Sequence, residues 1–247
     1  MSSPFLGEML GTLVLVLLGD GVVAGVLLNG TKSQSRLDSG GWLMINTGWA
    51  LSVLCGIFVA QATGSPDAHI NPAVTIALGA LSGDFSKVSS YIPAQMLGAF
   101  LGAGLVWLHY HPHWRKTENP DLKLAIFCTG PALRAPVSNL VSEIIATSLL
   151  VFVIAAIVSQ SVGGATGLQA GFASYLIAML VWGIGLSLGG TTGYALNPAR
   201  DFGPRLAHAV LPIAGKGSSD WSYAPIPVVG PIIGAIIGAF VARLVVL

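Results

Sequence analysis

Two tripeptides dominate the chemistry open to this chain: Asn71-Pro72-Ala73 and Asn197-Pro198-Ala199. Asparagine caps free backbone N–H groups, and proline suits the first helical position, where its missing donor is not needed, so each tripeptide marks a helix start. Glycines and small polar residues precede both, as Gly64-Ser65-Pro66-Asp67-Ala68-His69 and Gly189-Gly190-Thr191-Thr192-Gly193. The backbone there is expected to be extended, with carbonyls exposed along one side. Arg200, three residues after Asn197, adds a full positive charge. Amide donors, carbonyl acceptors and one guanidinium bind and sort solutes; nothing in the set breaks a bond. A helix N-terminus carries roughly half a positive charge. Two such termini brought together beside Arg200 would repel cations. A water held by two fixed amide donors must point its hydrogens outward, which interrupts a proton wire. A lone Asn-Pro-Ala can cap any buried helix; two copies at matching places favour a shared role.

Two carboxylates stand out next. Glu8 and Glu143 lie in apolar runs, each followed four residues later by threonine, Thr12 and Thr147. An unpaired charge in such a run is costly, so each needs a partner. The expectation is that each accepts N–H groups from the loop before a short helix. A proton relay is the alternative.

The elements that must position these groups are apolar. Of 247 residues 53% are hydrophobic and 9% charged, net charge is +1, and mean hydropathy is +0.78. Soluble domains average about 25% charged residues, so lipid is the expected solvent for most of the exterior. No basic patch or acidic tail points to nucleic acid, and Cys55 and Cys128 make no metal or redox spacing. A spanning helix needs about 20 mostly apolar residues. Six runs qualify, roughly 5–28, 42–62, 88–109, 137–159, 171–188 and 225–246, while 71–81 and 197–210 are too short to span. Three runs per half is an odd number, so the second half enters the membrane from the opposite side. The expected fold is an all-α membrane protein with six transmembrane helices and two re-entrant half-helices. It forms a single domain over 1–247, with inverted repeats of about 1–110 and 136–247 joined by a loop at 111–135. Inverted repeats place their site near the midplane, where discontinuous helices meet.

These motifs, with the Ala68-His69-Ile70-Asn71-Pro72-Ala73-Val74-Thr75 and Asn197-Pro198-Ala199-Arg200-Asp201-Phe202-Gly203-Pro204-Arg205 stretches, resemble the major intrinsic proteins, the aquaporin superfamily. Asp201, where water-selective members usually have serine, resembles the aquaglyceroporin branch, the glycerol facilitators. The resemblance spans essentially the whole chain. It implies an aquaporin-like channel, not an enzyme, that passes glycerol and other small neutral solutes with water and excludes protons and ions. Arginine and half-helix dipoles are the known basis of that selectivity in aquaporin-type pores. It also implies a homotetramer among membrane lipids, in the plasma or inner membrane, with both termini cytoplasmic and no cofactor, metal or nucleic acid.

Carried over by position, the selectivity filter falls on Trp49, Gly185, Tyr194 and Arg200, with Glu8, Glu143, His69 and Asp201 supporting the loops. Glycine at 185, where a water-only filter has histidine, is expected to leave room for a carbon skeleton. Trp49 and Tyr194 would face its C–H side, and Arg200 and carbonyls would take its hydroxyls. Tyr194 in place of the commoner phenylalanine is expected to make the filter more polar.

Other signals pull elsewhere. Asp20 interrupts the first run; on a helical wheel it lies about 140° from Leu15, a position that lines the pore in relatives, so a subunit contact or the outer vestibule is expected. Lys32, Arg36, Arg115, Lys116, Lys123, Arg134 and Lys216 share one set of loops, with little beyond Lys87 and Arg243 on the other. Positive-inside counting puts the first set in the cytoplasm, and the family topology says the reverse; the family is followed. His109, His111 and His113 are read as membrane-edge residues rather than a metal site. Gly79-Ala80-Leu81-Ser82-Gly83 weakly resembles an intramembrane serine protease, without a suitably placed histidine. Rival readings are a channel mainly for water, dihydroxyacetone, urea or undissociated lactic acid, and a coupled transporter using Asp20.

Overall fold

A computed structural model describes residues 2–34, 39–164 and 171–247 of the chain. Arg36, one of the basic loop residues counted above, lies outside them. Among the described residues ten α-helices follow one another: α1 Pro4–Leu27, α2 Ser39–Ala62, α3 Pro72–Ser82, α4 Val88–His109, α5 His111–Lys116, α6 Pro120–Phe127, α7 Pro136–Val158, α8 Phe172–Leu188, α9 Pro198–Val210 and α10 Pro225–Val245. A π-helical turn, Gln160–Gly164, follows α7.

Five of these, α1, α2, α4, α7 and α10, are long and apolar enough to cross a membrane. Six were expected. The described part of α8 has 17 residues, the lower end of the length that spans a bilayer. Proline opens most of them: Ser3 caps α1, its hydroxyl accepting from Leu6 N–H at 3.2 Å, and Pro4, Pro136 and Pro225 occupy first helical positions. The exterior of the long helices is apolar, with Leu101, Ile145, Phe240 and Val241 exposed, while Glu8, Asp20, Asn46, Gln95, Glu143 and Arg205 are buried. Polar side chains turned inward and apolar ones outward suit a lipid solvent.

Packing interlocks the two halves of the chain. α1 lies against α2 and α4, and α7 against α10 and α8. The short helices cross over: α3 packs chiefly on α10, and α9 on α4. Close approach at the tightest seams requires glycine. A Cβ at Gly98 would stand 2.1 Å from the Met9 carbonyl oxygen on α1, and one at Gly238 2.4 Å from the Ser148 carbonyl oxygen on α7. Small residues at such seams let helix backbones meet directly.

The connector at 111–135 is not a plain loop, because α5 and α6 lie within it. Asn119-Pro120 starts α6 by the same device as the two tripeptides, Asn119 Oδ1 accepting from Asp121 N–H at 2.8 Å. Apolar packing then folds it onto the rest: Phe127 stacks on Trp114 at 5.6 Å and meets His208 of α9 edge-on at 5.5 Å. We expect Gly98→Val to destabilise the protein by about 1–3 kcal/mol or more. Gly104→Val, where a Cβ would meet nothing within 4 Å, should leave the thermal unfolding midpoint in detergent unchanged.

Candidate functional site

The loops before α3 and α9 carry the same backbone signature. Ala68 and Ile70 have φ of +46° and +42°, and Tyr194 and Leu196 have +40° and +56°. Left-handed conformations at non-glycine residues cost energy and persist only where the surroundings hold them. The surroundings here are the two buried glutamates. Glu8 Oε1 accepts from the Ser65 hydroxyl at 2.6 Å and His69 N–H at 2.8 Å; Oε2 accepts from Ile70 N–H and the Gln95 amide, both at 2.7 Å. Glu143 Oε1 accepts from the Thr192 hydroxyl at 2.6 Å and Ala195 N–H at 2.9 Å, and Oε2 from Leu196 N–H at 3.1 Å. The threonines four residues on do not join in: the Thr12 hydroxyl donates back to the Glu8 carbonyl at 2.7 Å. His69 is tied further by Nδ1 to the Thr75 hydroxyl at 3.1 Å.

Each loop delivers an asparagine to one meeting point. Asn71 Oδ1 caps α3 through Ala73 N–H at 2.8 Å, and Asn197 Oδ1 caps α9 through Ala199 N–H at 3.0 Å and Arg200 N–H at 3.3 Å. Their amide nitrogens cross over: Asn71 Nδ2 donates to the Leu196 carbonyl at 3.0 Å, and Asn197 Nδ2 to the Ile70 carbonyl at 2.8 Å. One bond uses one of the two hydrogens on each nitrogen, leaving the second available. Pro72-Ala73 and Pro198-Ala199 open the two helices that start there and are buried.

A cavity of about 690 Å³ passes this point, lined by Asn71, Asn197, Trp49, Tyr194 and Arg200, with the partly exposed Asp67 and Lys87 also in its lining. Its remaining wall is largely aliphatic, including Leu15, Val53, Ile177 and Val181. The Arg200 guanidinium carbon sits 4.1 Å from the Trp49 ring centroid, a cation–π contact. The helix bearing Arg200 is clamped from behind. Asp201 accepts from the Thr129 N–H at 2.7 Å and hydroxyl at 2.6 Å, and from Arg205 Nε at 2.9 Å. Arg205 reaches on to the carbonyls of Thr129, Ser219 and Asp220. The sequence reading did not single out Arg205 or Thr129. The i, i+4 spacing of Asp201 and Arg205 was the available signal.

Three placements differ from expectation. Gly185 does not line the cavity; the space beside it is taken by Tyr194, whose Cζ would lie 2.7 Å from a Cβ there. The Tyr194 hydroxyl is buried in the wall, so it does not add polarity to the lumen. Asp20 is buried within the chain at 0% exposure rather than on a subunit surface or in a vestibule. It follows Gly19, on which the Trp49 ring rests, and Arg200 and Asp201 are the charges that reach it. The Ser82 hydroxyl donates to the Leu78 carbonyl at 2.8 Å at the end of α3. His113 Nδ1 pairs with the Asn29 carbonyl at 3.0 Å, His111 meets Trp107 edge-on, and no metal-holding group of His, Cys, Asp and Glu occurs among the described residues.

A family model described as Major intrinsic protein matches residues 2–242. The chain belongs to that family. It is 55% identical over 232 residues to a probable glycerol uptake facilitator protein of Thermotoga maritima, covering 93% of each chain. It is 52% identical over 232 residues to a glycerol uptake facilitator protein of Streptococcus pneumoniae, covering 94% of each. Among solved structures it is similar to the aquaglyceroporin from Plasmodium falciparum, with a TM-score of 0.83 and 31% identity over 98% of this chain and 95% of that one. A member of the major intrinsic protein family with these helices is a multi-pass membrane protein.

Removing an acceptor from a buried carboxylate leaves donors facing donors, at about 1–3 kcal/mol for each group left unpaired. Glu8→Gln should therefore lower the unfolding midpoint and the folded yield more than Glu143→Gln, since Glu8 receives four donors and Glu143 three. Equal losses would contradict the hydrogen-bond assignment.

Proposed function

We propose that the chain is a passive channel for glycerol and other small neutral solutes, passing water with them and excluding ions and protons. The observation that carries this reading is the reciprocal pair of asparagine bonds, set beside a cavity whose lining combines Asn71, Asn197 and Arg200 with mostly aliphatic residues. The names of the relatives point to the same solute.

In this reading Asn71 and Asn197 each turn a free amide hydrogen to the passing oxygen. The N-termini of α3 and α9, each worth roughly half a positive charge, and Arg200 raise the barrier for cations. Trp49, Tyr194 and Arg200 form the filter, and Gly185 shapes it from behind. Each hydroxyl stripped of water without a partner costs about 2–7 kcal/mol, so a polyol passes only if its hydroxyls run along the carbonyl and asparagine stripe. Glu8, Glu143, His69 and Asp201 act by holding that stripe, and no group here performs catalysis. The two halves are inverted repeats joined through 111–135, and the working form is a homotetramer in the plasma membrane with both termini cytoplasmic.

The charge count that argues against this orientation loses weight when the basic side chains are traced. Lys216 donates to the carbonyls of His208, Ala209 and Leu211, each at 2.7 Å, and caps the end of α9. Lys123 donates to the Ala214 and Gly215 carbonyls, and Arg134 pairs with Asp220. These cations serve the fold.

Light scattering of reconstituted vesicles tests the function. Fast glycerol flux, slower water flux and no proton current are expected; a proton current abolished by Asp20→Asn would replace the channel with a coupled transporter. The pH profile follows from the cavity mouth. The Lys87 ammonium, bonded to Asp67, holds that carboxyl below the usual range, and Tyr91 also donates to it at 3.2 Å. A depressed carboxyl keeps its pairing above its unfolded value and loses it only as pH falls through the folded one. Glycerol flux should therefore stay flat from about pH 8 to about pH 5 and change only in stronger acid.

A further inference from the structure

Behind the Tyr194 ring, α2 and α8 form a slot outside the residues that line the lumen. Gly185 on α8 and Gly189, which caps the end of that helix, sit one turn apart, and Trp42 and Asn46 one turn apart on α2. The ring fills the slot. Trp42 meets it edge-on, with centroids 6.0 Å apart at 87°, and a Cβ at Gly189 would stand 2.5 Å from Tyr194 Cδ1. A Cβ at Gly185 would stand 2.0 Å from Asn46 Oδ1 and 2.9 Å from the Tyr194 hydroxyl. The phenol oxygen and the amide oxygen therefore flank a single point in the wall.

Asn46 is fully buried, and its Nδ2 donates to the Trp42 carbonyl at 2.7 Å. That bond sets the amide orientation and presents Oδ1 to the slot. Among the described residues, neither Asn46 Oδ1 nor the Tyr194 hydroxyl has a hydrogen-bond partner. One is an acceptor and the other carries a donor, and burying both unpaired is unfavourable. We propose that Asn46 is a positioning residue for selectivity: its side-chain carbonyl accepts the Tyr194 hydroxyl, directly or through one water, and holds the ring back in the slot. Without that anchor the hydroxyl turns to the wet lumen and carries the ring with it. A narrowed lumen hinders a carbon skeleton more than a water molecule. This deepens the channel reading and rests on it.

The test uses the full chain in vesicles, with Asn46→Leu, Tyr194→Phe and the double variant. Asn46→Leu keeps the volume and removes the acceptor. It should lower the glycerol-to-water permeability ratio by about three-fold or more. The same change in the Tyr194→Phe background should leave the ratio where Tyr194→Phe alone puts it. Thermal midpoints should show the same coupling, each single change lowering the value and the double change recovering it. An unchanged ratio in Asn46→Leu, or an equal effect with and without the Tyr194 hydroxyl, overturns the proposal. If Asn46→Leu does not fold, Asn46→Ser is scored in both backgrounds against the same criteria. A parent chain with no glycerol flux would overturn the functional reading alone, because the coupling of midpoints still reads the bond.

Discussion

The channel interior depends on two carboxylates that accept backbone N–H groups. A re-entrant segment must satisfy its backbone within the protein, because lipid supplies no partners. Helix does this automatically; the stretches before α3 and α9 are not helical, and non-glycine residues there adopt left-handed conformations. Glu8 and Glu143 take up the N–H groups on the wall side. With those donors spent, the carbonyls of Ile70 and Leu196 are left to the crossing asparagines. The burial of each charge is in turn offset by the donors it receives. Neither the strained loop nor the buried glutamate would be stable without the other.

The same reciprocity operates at larger scale. Each half-helix leans on a long helix from the other half, α3 on α10 and α9 on α4, and each asparagine is bonded to the opposite loop. Half of the chain would therefore present a capped helix with nothing to face. Asp201 and Arg205 extend the arrangement to the connector, tying Thr129 and the segment at 219–220 to the helix that carries Arg200. A buried ion pair is weak grounds for stability, but one that also satisfies five further hydrogen bonds fixes geometry.

Within the lumen, a few polar groups stand in a mostly apolar wall. Asparagine amides and Arg200 lie among aliphatic residues, and Arg200 rests on the Trp49 face. The guanidinium keeps its charge while one side is covered by an aromatic quadrupole. Trp49 therefore does two things at once, supporting the cation and presenting an apolar surface.

By itself the sequence determined the elements. Hydropathy over about 20 residues marks spans, and Asn-Pro marks helix starts, because both depend only on neighbours along the chain. The family was legible too, since its motifs are contiguous. Glu8 and Glu143 were legible as groups that need partners, because charge in an apolar run is conspicuous. Tertiary structure alone decided which partners. Asn119-Pro120 has the same local chemistry as the two tripeptides and merely starts α6, so a cap becomes a pore residue only through what it faces. Gly185 read as empty space for solute, yet a tyrosine nine residues on in the chain folds back into that space. Asp20 read as peripheral from a helical wheel, which gives angles about one axis and not what packs there. Basic residues counted as loop charges became caps on carbonyls. Spacing encodes the helix face, but contact between residues far apart in the chain is settled only when the helices pack.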